Sequence, residues 1–155
     1  MPIKHSVLNA PERPEYARAL SYLEPILLGL PPKVVAIDGA HGVGKTTLGR
    51  FLAWRFNISL IETDLFLLEG TGRYLYRDND LRAVLKSRLG RNRPTIFEGV
   101  VALRLLRSFD IDPECHIHIT CEDVGLPDSI DWKTYVAEFS PETNSDLLLD
   151  LPAIF

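Results

Sequence analysis

Short apolar runs alternate along the chain with longer segments in which apolar residues recur at the spacing of a helix. The short runs predict five strands, at residues 33–38, 58–62, 95–97, 115–121 and 146–151. The longer segments predict helices, at residues 14–30, 45–55, 79–89, from after 99 to about 108, and at 130–139. Strands that alternate with helices and lack polar alternation are typical of an α/β protein. In such a protein a parallel sheet is covered on both faces.

The first helical segment, residues 14–30, carries one apolar stripe. This stripe consists of Tyr16, Leu20, Leu23, Leu27 and Leu30. Pro31 and Pro32 end the helix, because proline lacks the backbone N–H that a helix needs. No repeat or low-complexity segment divides the remainder. We therefore predict one domain over residues 1–155, with this helix packed on the core.

A glycine-rich loop lies between the first strand and the second helix. Its residues, all predicted to bind phosphate, are Gly39, Ala40, His41, Gly42, Val43, Gly44, Lys45, Thr46 and Thr47. In a strand–loop–helix context, the loop N–H groups and the helix N-terminus attract phosphate oxygens. Lys45 is expected to reach the outer phosphates, and the Thr46 hydroxyl to help hold Mg²⁺. The sequence therefore predicts a site for a nucleoside triphosphate.

Acidic residues stand at the carboxyl ends of three predicted strands, where α/β proteins collect their ligands. Glu98 is expected to bind Mg²⁺ or to orient a substrate hydroxyl, with a plain strand-end cap as the alternative. Asp64 is expected to accept a proton from an attacking hydroxyl, with a capped turn as the alternative. Asp38 is expected to brace the glycine loop through backbone hydrogen bonds.

A basic segment at residues 73–93 follows Asp64. Arg73 and Tyr74 lie in its glycine-containing loop and are predicted to contact the substrate, with a structural role of the loop left open. The fourth strand contains two cysteines and two histidines. Strand alternation places Cys115 and Cys121 on one face and the histidines on the other, so these four side chains cannot surround one metal ion.

Charge is distributed unevenly along a chain whose net charge is −4. Residues 1–107 carry 16 lysines and arginines against 10 acidic residues, whereas residues 108–155 carry one lysine against 11 acidic residues. The basic part suits a phosphorylated small molecule, and the acidic part would repel nucleic acid. The chain has no apolar run near the roughly 20 residues of a membrane span, no features of a signal peptide, and too few cysteines for a disulfide framework. We expect a cytoplasmic protein. The sequence does not decide between a monomer and a homodimer.

Four segments together resemble the uridine kinase-like group of P-loop kinases. They are residues 37–48 with the glycine loop, 62–66 with Asp64, 97–103 with Glu98, and 145–150 near the end. The resemblance implies a three-layer α/β/α sandwich whose five parallel strands have the order 2-3-1-4-5. It also implies that Lys45 and Thr46 engage ATP and Mg²⁺, and that Asp64 acts as the base. Glu98 would lie near both metal and acceptor.

Residues 122–131 depart from the pattern of these kinases, in which an arginine-rich lid follows the fourth strand. No arginine occurs in this segment. Lys133, an arginine of residues 73–93 or a partner protein would have to replace the clamp, or the enzyme would be slow or inactive. Two hypotheses follow: a small-molecule kinase that phosphorylates a nucleoside, nucleotide or related metabolite, and an ATP-binding regulatory module without catalysis. A GTPase is disfavoured, because the chain lacks the guanine-reading Asn-Lys-x-Asp motif.

Overall fold

Five parallel strands form the centre of the protein in a computed structural model that describes residues 13–152. The strands are β1 (Val34–Gly39), β2 (Ser59–Glu62), β3 (Thr95–Glu98), β4 (Cys115–Thr120) and β5 (Leu147–Asp150). They are paired in the order β2-β3-β1-β4-β5. In this register Ile37 lies beside Glu98, and Asp38 lies beside His118. The predicted parallel sheet and its strand order are confirmed.

Helices surround this sheet. They are α1 (Pro14–Leu27), α2 (Lys45–Phe56), α3 (Asp78–Leu89), α4 (Ala102–Ser108), α5 (Ile130–Phe139) and the short α6 (Pro141–Asn144). Helix α2 packs against β1, β2 and β3, α4 against β1, and α1 against β5. All residues of β1 and β3 are buried, which explains why these strands read as apolar runs. None of the helices in the described part is long and apolar enough to span a bilayer.

The first helix is shorter than predicted. It ends at Leu27 rather than at residue 30, because Gly29 and Leu30 turn into the left-handed region at φ 77° and 51°. The predicted buried stripe is confirmed within the helix, whereas Leu30 lies beyond it and is partly exposed. Each predicted strand differs from the observed one by at most one residue at either end. The prediction of one domain over residues 1–155 stays a prediction, and residues 1–12 and 153–155 lie outside the described part.

The carboxyl ends of the strands meet along one edge of the sheet, because all five strands run in parallel. The glycine loop connects β1 to α2 at this edge. A 3₁₀ turn, Thr63–Phe66, follows β2 and carries Asp64. Glu98 is the last residue of β3. The topology therefore brings together three features that lie far apart in the sequence.

Candidate active site

Two glycines of the loop, Gly39 and Gly44, have backbone conformations that only glycine adopts readily. Gly39 has φ +151°, and a Cβ there would lie 2.4 Å from the backbone oxygen of Ile119. Gly44 has φ +101° and directly precedes α2. The loop and the start of α2 line an open cavity of about 290 Å³, which Asp64 also lines. The positive end of the helix dipole therefore faces a space large enough for phosphate groups.

Lys45 is held inside the loop. Its Nζ donates a 2.8 Å hydrogen bond to the backbone oxygen of Ala40, and only 5% of the residue is exposed. Burial lowers the pKa of Lys45, against the opposing charges of Glu98, Asp64 and Asp38. The charges of three carboxylates thus act on the lysine, which lies in the loop that is predicted to hold phosphate.

Thr46 and Glu98, the two predicted Mg²⁺ ligands, are adjacent. The Thr46 hydroxyl donates a 2.9 Å hydrogen bond to Oε1 of Glu98. The other carboxylate oxygen, Oε2, is buried and has no hydrogen-bond partner among the described residues. Burial raises the pKa of Glu98, and the hydrogen bond from Thr46 and the charge of Lys45 counteract this effect. A buried oxygen without a partner next to a hydroxyl is a donor set that fits Mg²⁺.

Asp64 is exposed on the 3₁₀ turn and faces the cavity of the glycine loop. A close approach between Gly99 and Thr63 sets the position of this turn, because a Cβ on Gly99 would lie 1.9 Å from Thr63 Oγ1. The charge of Asp64 also reaches Tyr74, whose pKa is raised first by burial and then by this carboxylate. Asp64 therefore borders the cavity of the phosphate loop, and its charge acts on Tyr74 of the segment with the predicted substrate contacts.

Arg73 and Tyr74 line a second cavity, of about 300 Å³. Arg73 Nη2 pairs with Oδ1 of Asp131 at 2.8 Å, and the backbone N–H of Tyr74 donates to Oδ2 of the same carboxylate at 2.9 Å. These hydrogen bonds, that of Arg73 first, lower the pKa of Asp131 to about 2. Asp131 lies in the first turn of α5 and is the last residue of the arginine-free segment 122–131. The ion pair therefore joins the predicted acceptor loop to the region of the missing lid.

The sequence analysis missed Arg104 as a functional candidate. It is a half-buried residue of α4 that lines the second cavity, and its Nη2 donates a 2.7 Å hydrogen bond to the backbone oxygen of Tyr74. The sequence offered one signal for this residue, because Arg104 follows closely after Glu98 and Gly99 at the carboxyl end of β3. Lys133, one of the proposed lid substitutes, instead pairs with Asp128 of the arginine-free segment itself, and both side chains are exposed.

A third cavity, of about 380 Å³, lies beside the glycine loop at the ends of β4 and β5. Ala40 and Val43 form its wall on the loop side, and Cys121, Leu126 and Trp132 add apolar surface. Because it adjoins the phosphate loop and has a partly apolar wall, it can receive the planar base of a bound nucleotide.

The prediction for Asp38 was wrong. The partners of its carboxylate are side chains and not the loop backbone. Oδ1 is hydrogen-bonded with His116 Nε2 at 2.6 Å and with His118 Nδ1 at 2.7 Å, and Oδ2 accepts a hydrogen bond from the Tyr135 hydroxyl at 2.5 Å. The two histidines share one face of β4, as strand alternation required, and the cluster includes neither cysteine. The sequence could not reveal this arrangement, because it results from the pairing of β1 with β4.

No family model matches the chain, and no curated protein matches it. Its structure is similar to one described as a possible uridine kinase from Bacillus stearothermophilus, with a TM-score of 0.62 and 17% identity over 88% of this chain and 100% of that chain. A gluconokinase from Sinorhizobium meliloti has a TM-score of 0.49, 14% identity, and covers 80% and 84% of the two chains. A sugar kinase from Janibacter has a TM-score of 0.48, 18% identity, and covers 79% and 86%. The first of these similarities, together with the strand order, shows that the described part of the chain has the α/β fold of the P-loop kinases.

Proposed function

We propose that the protein is an ATP- and Mg²⁺-dependent small-molecule kinase that transfers the γ-phosphoryl group to a hydroxyl of a nucleoside, nucleotide or related metabolite. The observation that carries this proposal is the convergence of three groups on one cavity edge. They are the glycine loop with Lys45, the Thr46–Glu98 pair with its buried free oxygen, and the exposed carboxylate of Asp64. The fold supports the same class of reaction, since the similar solved structure is described as a possible uridine kinase.

Each group has one role in the transfer. The loop N–H groups and the α2 dipole hold the phosphates, and Lys45 exchanges its bond with Ala40 for one to a phosphate oxygen. Asp64 takes the proton of the acceptor hydroxyl, whose oxygen bonds to the γ-phosphorus. The bond from that phosphorus to the bridging oxygen breaks, and ADP leaves. Thr46 and Glu98 would hold Mg²⁺, which neutralises phosphate charge when bound.

The second cavity, lined by Arg73, Tyr74 and Arg104, is our proposed acceptor site. Two guanidinium groups and an aromatic ring suit a polar metabolite with hydroxyl or anionic groups. Arg73 is also the proposed substitute for a lid arginine, because its ion pair with Asp131 places a guanidinium against α5. Opening this pair would free the cation for the transferring phosphate.

The test uses the purified full chain with ATP, Mg²⁺ and a panel of nucleosides, nucleotides and sugars, and it measures acceptor-dependent ADP release. We expect turnover with at least one acceptor. Asp64→Asn should lower kcat by about 100-fold or more, because it removes the general base, while ATP affinity stays within a few-fold. Asp112→Asn is the matched control, since Asp112 is exposed and lies away from the three cavities. Tight ATP binding without any phosphorylated product would contradict the proposal.

A second candidate function is an ATP-binding regulatory module that has lost catalysis. The observation in its favour is the segment 122–131, which lacks arginine, while the nearby Lys133 is paired with Asp128. This candidate predicts ATP binding that depends on Lys45 but no acceptor-dependent turnover. Turnover that is abolished by Asp64→Asn would exclude it.

A further inference from the structure

Four buried side chains meet between β1, β4 and α5, outside the proposed catalytic groups. Asp38 and Tyr135 are 0% exposed, His118 is 2% exposed, and His116 is 6% exposed. One carboxylate oxygen, Oδ1 of Asp38, bonds to a nitrogen of each histidine, at 2.6 and 2.7 Å. The Tyr135 hydroxyl occupies the other oxygen, Oδ2. None of these side chains has a role in the phosphoryl transfer described above.

The sheet itself produces this convergence. His116 and His118 are two residues apart on β4, so their side chains share one face. The parallel pairing of β1 with β4 places Asp38 beside His118. The site therefore combines one carboxylate with two imidazoles in a buried space.

We propose that Asp38, His116 and His118 form a binding site for a transition-metal ion of the zinc class. Their ligand atoms all lie within 4.8 Å of one another. Zinc bonds of about 2.0–2.2 Å place tetrahedral ligands roughly 3.3 Å apart. The two Oδ1–nitrogen distances must therefore lengthen by roughly 0.6–0.7 Å from 2.7 and 2.6 Å, which small side-chain rotations provide.

The donor types determine which ions fit. Imidazole nitrogen favours Zn²⁺, Co²⁺ and similar ions, whereas Mg²⁺ prefers a shell of oxygen ligands. The site is thus chemically distinct from the Thr46–Glu98 pair, which offers only oxygen. To bind the metal, each imidazole must present a nitrogen lone pair towards Oδ1 and carry its N–H on the other ring nitrogen.

The surroundings supply orientation and access. The Tyr135 hydroxyl fixes Oδ2 and leaves Oδ1 directed at the histidines, as partners of metal-ligating carboxylates commonly do. His118 also lines the 380 Å³ cavity beside the glycine loop. This cavity provides an entry path and room for a water as fourth ligand. The alternative role of the cluster is a hydrogen-bonded brace between β1 and β4 that binds no metal.

The experiment measures metal binding alone, without ATP or acceptor, so its outcome is independent of the proposed kinase activity. Full-length protein is stripped with a chelator and titrated with Co²⁺, followed by its visible absorption bands, and then with competing Zn²⁺. We expect one equivalent per chain, with displacement of Co²⁺ by Zn²⁺ but not by Mg²⁺. The variant with His116→Asn and His118→Asn should lose this equivalent. His41→Asn and Glu98→Gln, which alter the glycine loop and the oxygen site, should retain it.

Tyr135→Phe covers the case in which loss of two buried histidines unfolds the chain. This variant keeps all three ligands, so it should bind one equivalent with an affinity about 10–100-fold lower. Circular dichroism verifies the fold of each variant. Absence of Co²⁺ and Zn²⁺ binding by the unmodified chain would overturn the proposal and leave the cluster as a brace. Equal binding by the folded double-histidine variant would overturn it as well.

Discussion

Replacement of Gly99 by alanine tests how the site is held together. Gly99 follows Glu98 at the end of β3, and its backbone N–H donates to the oxygen of Ile37 at 3.0 Å. A Cβ at this position would lie 1.9 Å from Oγ1, 3.0 Å from Cβ and 3.2 Å from Cγ2 of Thr63, which is fully buried. Thr63 begins the turn that carries Asp64. The substitution would therefore push the turn of Asp64 away from the strand of Glu98.

The magnitude follows from these distances. Since real Cβ contacts are essentially never under 3.0 Å, the 1.9 Å contact has to open by at least about 1.1 Å. Rotation of the Thr63 side chain gives little relief, because its Cβ and Cγ2 are already close. Overpacking of this kind costs about 1–3 kcal/mol. A middle value of about 2 kcal/mol lowers the melting temperature of a chain of this size by roughly 4–8 °C.

The assay is thermal unfolding, arranged as a double-mutant cycle. Thr63→Ala removes Oγ1 and Cγ2, so the double variant with Gly99→Ala should recover at least about half of the lost stability. Gly125→Ala is the control, because Gly125 is exposed and a Cβ there would meet no atom within 4 Å. This control substitution should change stability by less than about 1 kcal/mol. A Gly99→Ala melting temperature equal to that of the unmodified chain, or strictly additive effects in the cycle, would refute the reasoning.

Three further predictions concern the loop, the metal pair and the ion pair. Gly39→Ala should weaken ATP binding by about tenfold or more, because its Cβ would meet a backbone oxygen at 2.4 Å; unchanged affinity in a calorimetric titration would argue against the loop geometry. The raised pKa of Glu98 means that Mg²⁺-dependent ATP binding should decline with falling pH already above the usual glutamate range. Glu98→Gln should abolish this decline, and an identical pH profile in the variant would count against Glu98 as a ligand. The pKa of Asp131, lowered from 3.8 to about 2, means that the Arg73 ion pair stabilises the fold above about pH 4 and loses this effect as pH falls towards 2. Urea unfolding between these pH values should show a weaker pH dependence in Asp131→Asn, and no difference would contradict the assignment.

Most of the fold could be predicted from local sequence patterns. The glycine loop, the strand before it and the helix after it are contiguous, and the five apolar runs were long enough to locate each strand to within one residue. The strand order came from the family resemblance and is confirmed. The adjacency of Thr46 and Glu98 was also predictable, because both residues lie at carboxyl-edge positions that the resemblance aligns.

What failed in prediction depended on pairs that no local pattern encodes. Asp38 looked like a brace for the loop, since its neighbours in sequence are loop residues. Its actual partners are His116, His118 and Tyr135, which lie at separations of 78, 80 and 97 residues along the chain. The end of α1 was misplaced for a different, local reason, because the sequence analysis assigned the stop to Pro31 and Pro32 and overlooked Gly29, which already turns into the left-handed region.

By itself, then, the sequence determined the phosphate loop, the parallel α/β class and the acidic residues at the strand ends. Each of these depends on neighbouring residues, since the loop needs glycines for its backbone conformation and the strands need apolar runs that can be buried. The tertiary structure alone decided which distant side chains share a space. Strand pairing joined Asp38 to the histidines, the approach of Gly99 to Thr63 positioned Asp64, and the Arg73–Asp131 pair tied the acceptor loop to α5. These juxtapositions depend on packing between elements, and packing is a property of the folded chain and not of any one segment.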